Sequence, residues 1–303
     1  MDYEDAIRIS TISLVNITAE DAADAMWARG FHAIEIFLGV PGSGSYGHPA
    51  PHPGAAIWPR ECSADRRRSL RCKLERFEHV TVHAQLADNN IASLNPGIRE
   101  ESVEQYLECI DFAHDIGAPL VTFHAGACGH SSYPGVFNEE SKRANLEFAE
   151  RAAERCAQYG LRSGYEGTHY SGVDISAIVS EVDADDFGLL VDITQSYLTT
   201  TPNVEPILNG IERCSGRIVE VHLHGGLHRT IGRISHLPLR LHNMVDFGTV
   251  FEKLLAAEFA GPMMFEITSS ADPLVVIEDC VESKEMVLDI LDGLETQHQQ
   301  TSG

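Results

Sequence analysis

Short apolar runs rich in β-formers alternate with amphipathic helical stretches eight times along this chain, and no other feature narrows its fold as much. The runs cover residues 7–14, 33–38, 79–85, 119–125, 161–166, 187–193, 217–224 and 262–268. Helical stretches between them carry their own stop and start signals. Thr18 with Asp21 reads as a capping box, and Gly30, Gly117 and Gly160 stand where helices must end. Strict alternation of strand and helix implies parallel pairing, because each helix carries the chain back to start the next strand in the same direction. Eight such units close a barrel, and 303 residues is an ordinary length for one. An open doubly wound sheet is the alternative. That fold usually carries G-x-G-x-x-G after its first strand, and none follows residue 14. The expected architecture is α/β: a single (β/α)8 barrel over residues 1–294, with 295–303 as a disordered polar tail.

The polar residues on these runs carry the chemistry. His83, His124, Glu166, Asp192, His222 and Glu266 each lie at or near the C-terminal end of a run. A strand-end carboxylate or imidazole alone is often only solvated or hydrogen-bonded to a carbonyl. Together they converge on one mouth, since the C-terminal ends of parallel barrel strands form a single face and that face holds the catalytic groups. Three imidazoles and three carboxylates at one place favour a cation. Imidazole nitrogen with carboxylate oxygen, and no thiolate, suits Zn, Mn, Mg or Co. His224 shares a strand face with His222, as a ligand or a substrate contact, and Glu220 lies deeper on that face. Glu35 lies within the second run. His48, His52, His130 and His242 fall in loops. The long stretches 39–64, 126–137 and 225–246 are expected to surround the mouth and set specificity, but they carry no readable motif.

Charge and cysteine usage limit the partners. The formal charge is −23, from 22 Lys+Arg against 45 Asp+Glu. A field of that sign opposes the approach of a phosphate backbone, so nucleic acid is not expected as a general partner. The basic stretch Arg66, Arg67, Arg68, Arg71, Lys73 and Arg76 reads as the solvated face of a helix. Seven scattered cysteines contain no C-x-x-C pair, which argues against a disulfide framework or a thiolate zinc site. No apolar run approaches the ~20 residues of a membrane span, and Met1–Asp5 lacks the pattern of a signal peptide. A cytoplasmic protein is expected, with a small polyol as its ligand, and further copies of the chain as partners if it forms a homo-oligomer.

The stretch His83-Ala84-Gln85, with Asn90-Ile91-Ala92-Ser93-Leu94 and Ile98-Arg99-Glu100-Glu101-Ser102-Val103 after it, resembles the third strand and following loop of the endonuclease IV family. Residues 117–126, Gly-Ala-Pro-Leu-Val-Thr-Phe-His-Ala-Gly, are similar to that family's fourth strand. The endonucleases belong to the xylose isomerase-like TIM barrel superfamily, with sugar epimerases, inosose dehydratases and sugar-phosphate isomerases. By this resemblance Glu166, Asp192, His222 and Glu266 are the ligands of one divalent ion. His83 and His124 are ligands of a second, bridged through Glu166, so one or two ions per chain are implied. Glu166 and Glu266 also match the acid and base of the epimerases, and Glu35 matches a glutamate on the second strand of sugar isomerases. The endonucleases hold a third zinc with a His where this chain has Gln195, and with an Asp-x-His where it has Ile234-Ser235-His236. Of that set only His236 remains.

These departures rank the activities. Proton transfer beside a metal-bound carbonyl of a sugar, keto-sugar or cyclitol comes first, with Gln195, His224, His236 and Glu35 as substrate contacts. Phosphodiester hydrolysis of the endonuclease IV type is the alternative. A third reading is a metal-bearing subunit of a complex, without turnover of its own.

Overall fold

The computed structural model describes residues 3–40, 56–128, 138–167, 169–170, 173–199, 203–229, 232–241 and 245–301. Much of the three mouth loops lies outside these residues, and so do His48, His52, His130 and His242. Eight parallel strands close a barrel: β1 (Ile7–Ser10), β2 (Ala33–Phe37), β3 (His79–His83), β4 (Leu120–His124), β5 (Arg162–Glu166), β6 (Phe187–Asp192), β7 (Ile218–Leu223) and β8 (Met263–Phe265). Each strand hydrogen-bonds its neighbours in chain order, and β8 closes the ring against β1 through Ile7–Met263 and Ile9–Phe265 pairing. The open-sheet alternative is excluded.

A helix follows each strand: α1 (Ala19–Ala28), α2 (Ala64–Leu74), α3 (Pro96–Ile116), α4 (Asn138–Tyr159), α5 (Ile175–Glu181), α6 (Glu205–Arg213), α7 (Phe247–Ala256) and α8 (Pro273–Thr301). Their starts are chemically marked. Thr18 Oγ1 accepts the Asp21 N–H at 3.0 Å, Ser63 caps α2 through the Arg66 N–H, and Asp246 caps α7 through the Thr249 N–H. Gly117 ends α3 in the left-handed region at φ +80°, where a side chain would be strained.

Four local features depart from the sequence reading. The run 7–14 is strand only to Ser10, whose hydroxyl accepts the Ile12 N–H and opens a 3-10 turn over Thr11–Leu14. The run 187–193 stops at Asp192, because its carboxylate caps a short helix, Ile193–Thr199, by accepting the Gln195 N–H. The stretch after β7, read as a loop, is an antiparallel ribbon of Gly225–Arg229 against Gly232–Leu237. Helix α8 runs through Thr301, past the expected end at Leu294; residues 295–301 include neither Gly nor Pro to stop it.

The main apolar core lies between the outer faces of the strands and the helices, where Ile9, Ile36, Val82, Phe123, Leu189 and Phe265 pack with α-helical residues. The inner faces are different. Among the described residues, Leu120, Leu190 and Val219 form a small apolar cluster there, and they share the barrel interior with buried Met264, Arg8, Glu35, Thr81, Thr122 and Glu220. Val219 enters by pressing on two strand glycines. A Cβ on Gly188 would stand 2.2 Å from the Arg217 carbonyl oxygen and 2.5 Å from Val219, and one on Gly164 would stand 2.5 Å from the Gly188 carbonyl oxygen.

The basic helix is paired as a solvated face should be. Arg66 bonds Glu20, Arg67 bonds Asp115, and Lys73 and Arg76 both bond Asp24. Among the described residues no helix is long and apolar enough to cross a membrane.

Candidate metal centre

The strand register brings the expected residues to one level of the mouth. His124 on β4 pairs with Glu166 on β5, and Asp192 on β6 pairs with His222 on β7. Glu266 follows β8 directly. Glu166 is the hub. Its Oε2 lies 2.7 Å from His83 Nε2 and 2.9 Å from His124 Nε2. Two groups of donor atoms, each mutually within 4.8 Å, share it: His83, His124 and Glu166, and Glu166, Asp192 and His222. Glu266 joins the second group through His222, with Oε2 3.4 Å from Nδ1. All of these side chains are buried except His124, which is half-buried.

A family model described as xylose isomerase-like TIM barrel matches residues 23–286. The chain belongs to that family. An uncharacterized protein of Methanocaldococcus jannaschii is 25% identical over 228 residues, 72% of each chain. Two solved structures share the fold of this xylose isomerase-like chain. A D-tagatose 3-epimerase-like protein aligns at TM-score 0.74 and 20% identity, over 96% of this chain and 99% of its own. The IOLI protein with a bound zinc atom aligns at TM-score 0.70 and 14% identity, over 95% and 99%.

The electrostatics of this xylose isomerase-like mouth favour positive charge between its carboxylates. Burial alone would raise the Glu166 carboxyl, but His124 and His83 outweigh it and hold the group well below the usual carboxylate range. Glu266 is likewise pushed up by burial and more strongly down by His222, to about 2. The imidazoles respond in the opposite sense. Burial lowers the His83 proton affinity, yet Glu166 lifts the net value to about 9, and His222 is raised well above its ordinary value by Glu266 and Glu35. Both His222 nitrogens are buried without a hydrogen-bond partner. Nitrogen and carboxylate donors around unpaired imidazole atoms, in a field that stabilises cations, fit a divalent ion.

The residues expected to touch substrate separate into two places. Glu35 lies beneath the mouth. It is fully buried, its register partner is Thr81, and its Oε2 faces His222 Nε2 at 3.6 Å. The structure therefore brings it to the underside of a candidate ligand. His83 takes the position two residues above Thr81 on β3. Gln195, His224 and His236 lie together on the far side of Asp192. Gln195 Nε2 contacts His236 Nε2 at 3.2 Å and Ser235 Oγ at 3.1 Å. His236 Nδ1 donates to the Glu266 carbonyl at 2.9 Å, which leaves its Nε2 lone pair to accept from the Gln195 amide.

Sequence reasoning missed Arg8. It is 4% exposed, and its Nε and Nη1 have no hydrogen-bond partner. Burial lowers its pKa to about 10 despite the support of Glu220 and Glu35. Glu220 accepts a hydrogen bond from Thr81, and burial with the neighbouring Glu35 charge pushes its carboxyl up to about 8. The signal was present: in Ile7-Arg8-Ile9-Ser10, alternation puts a charge on the inner face of a strand covered on its other face by helices.

Proposed function

We propose that this chain is a metal-dependent isomerase or epimerase, or a related dehydratase, acting on a sugar, keto-sugar or cyclitol. The observation that carries the reading is the pair of buried carboxylates, Glu166 and Glu266, that contact one cluster of nitrogen and oxygen donors at the barrel mouth. Glu166, Asp192, His222 and Glu266 would hold one divalent ion, and His83 and His124 would complete a second group through Glu166. A bound ion polarises an adjacent carbonyl and makes the neighbouring C–H acidic. An ionised carboxylate oxygen of Glu166 or Glu266 would take that proton as general base, and the other carboxyl, protonated from solvent, would deliver one to the opposite face. The fold of a D-tagatose 3-epimerase-like protein supports the choice of polyol chemistry, and that of the IOLI protein with a bound zinc atom supports a metal at the mouth.

The endonuclease-type alternative is disfavoured by one contact. A third ion of the kind that hydrolysis in this architecture uses would need the His236 Nε2 lone pair, and the Gln195 amide occupies it. The chain's net charge of −23 adds a long-range penalty against DNA.

The test pairs two substrates. Metal-loaded protein is incubated in heavy water with a panel of ketoses and inososes, and separately with a duplex containing an abasic site. Deuterium entering a sugar carbon, lost in Glu166→Gln and Glu266→Gln, is the expected result. Efficient nicking of the duplex at physiological salt, abolished by Glu166→Gln, would overturn the ranking. Stable copurification with a second chain that supplies all turnover would favour the subunit reading instead.

A further inference from the structure

We infer that His224 is a positioning residue, which aims Asp192 by donating a proton-bearing Nε2 to it, and that it is neither an ion ligand nor a substrate contact. The inference rests on the reading of Asp192 as a ligand. The ring is fully buried, and both of its nitrogens meet protein atoms. Nδ1 lies 3.0 Å from the backbone nitrogen of His236 and 3.2 Å from the Gly225 carbonyl oxygen. A single Nδ1 cannot satisfy both, since the first contact requires a lone pair and the second a proton. A backbone N–H is always a donor, and it makes the shorter contact, so Nδ1 accepts. The proton of the neutral ring is then on Nε2, which faces Asp192 Oδ2 at 3.2 Å.

The surrounding geometry is built to hold that arrangement. His236 has φ +59°, a left-handed conformation that costs a non-glycine residue strain energy. It is spent where the His236 N–H must turn toward His224. The two rings stack with centroids 4.2 Å apart and planes 23° apart, so His224 cannot rotate without displacing His236. Thr194 Oγ1 donates to the His224 carbonyl and fixes the backbone on the other side. Asp192 is thereby gripped on both oxygens, Oδ1 by the Gln195 N–H at 2.7 Å and Oδ2 by His224. The same His236 ring bonds the Glu266 carbonyl. One hydrogen-bonded unit therefore orients two of the four candidate ligands, using side chains that stand where the endonuclease-like resemblance had a further ion. Outer partners of this kind typically govern ~10–100-fold in ion affinity.

The first measurement needs no ion. Histidine nitrogen NMR on the metal-free chain should give His224 as the neutral Nε2–H tautomer, and an Nδ1–H tautomer would overturn the inference. The second is a titration with Mn2+ alone. His224→Phe keeps the stacked ring and removes both hydrogen bonds, so Mn2+ affinity should fall by ~10–100-fold. His224→Gln places an amide N–H near Nε2 and should recover most of that loss; a Gln variant as weak as Phe would count against positioning. The third is the visible spectrum of Co2+-loaded protein, whose bands should not move in His224→Gln. A shift would make His224 a ligand. Absence of any Mn2+ or Co2+ uptake by the wild-type chain would refute the proposed function, and the tautomer would still decide the role of His224.

Discussion

Gly188→Ala should destabilise this barrel strongly, although it adds a single methyl group. The new Cβ would meet the Arg217 carbonyl oxygen at 2.2 Å and Val219 Cγ1 at 2.5 Å, against ordinary contact distances of 3.4–4 Å. The Arg217 oxygen is not free to retreat, because it accepts the Leu189 N–H at 2.8 Å and so belongs to the β6–β7 ladder. Relief requires β6 and β7 to part by about an ångström, which strains the overpacked site by ~1–3 kcal/mol. Weakening the ladder bond adds ~0.5–1.5 kcal/mol. The expected total is ~2–4 kcal/mol, or a fall in melting temperature of roughly 3–6 °C for a domain of this size. Urea titration monitored by circular dichroism measures the first quantity and a thermal scan the second. Gly293→Ala is the control. It lies exposed in α8 with nothing within 4 Å of the new Cβ, so it should stabilise by ~0.5–1 kcal/mol through helix propensity. A Gly188→Ala protein within ~0.5 kcal/mol of wild type would refute the argument that backbone proximity fixes this glycine.

Glu166→Gln should depress ion binding more than Glu266→Gln does, because Glu166 belongs to both donor groups and Glu266 contacts one; calorimetric titration with Mn2+ on both variants, with circular dichroism to show retained fold, makes the comparison. His124→Ala should lower the ion-to-chain ratio while leaving the Asp192–His222–Glu266 side loaded, as measured by elemental analysis; an unchanged ratio would remove the second ion. Glu20 has its carboxyl lowered, chiefly by its hydrogen bonds from Arg66. The depressed folded value means that its contribution is present above the unfolded value of about 4.3 and is lost as pH falls through the folded value. Glu20→Gln should therefore cost ~0.5–1 kcal/mol at neutral pH and progressively less in acid; a cost that does not decline with pH would contradict the pairing.

Much of the barrel could be read from residues because its signals are local. Several runs carry a polar group at or near their ends, capping residues mark the starts of helices such as α1, α2 and α7, and strand number alone then dictates closure. The mouth was legible for the same reason: His124, Glu166 and Asp192 are last residues of their strands, so their height needs no register. Glu35 could be assigned to the second run but its height could not, because that does need a register. It pairs with Thr81, one inward-facing position below His83, and only the ladder between β2 and β3 reveals that. The clamp around Asp192 was illegible as well. Gln195 and His236 are 41 residues apart and meet only because the ribbon after β7 folds back over the mouth.

The polar filling of the barrel changes what kind of object this protein is. Barrels of this architecture are ordinarily plugged by layers of branched apolar side chains. Here a file of ionisable groups runs from Arg8 through Glu220 and Glu35 to His222, and its lower end opens on a cavity of about 280 Å³ lined by Arg8, Thr81 and Arg162. Cohesion therefore belongs mainly to the sleeve, the annulus between strands and helices, while the bore combines a small apolar cluster with buried ionisable groups. Sleeve residues can drift one at a time, each change felt as a local void or crowding. Residues of the bore are tied to one another by charge, so a substitution at the floor, such as Arg8→Met, removes the cation that faces Glu220 and Glu35 beneath His222. The charge balance of the mouth is thus accountable to a residue on the first strand, at the opposite end of the barrel from the candidate ligands.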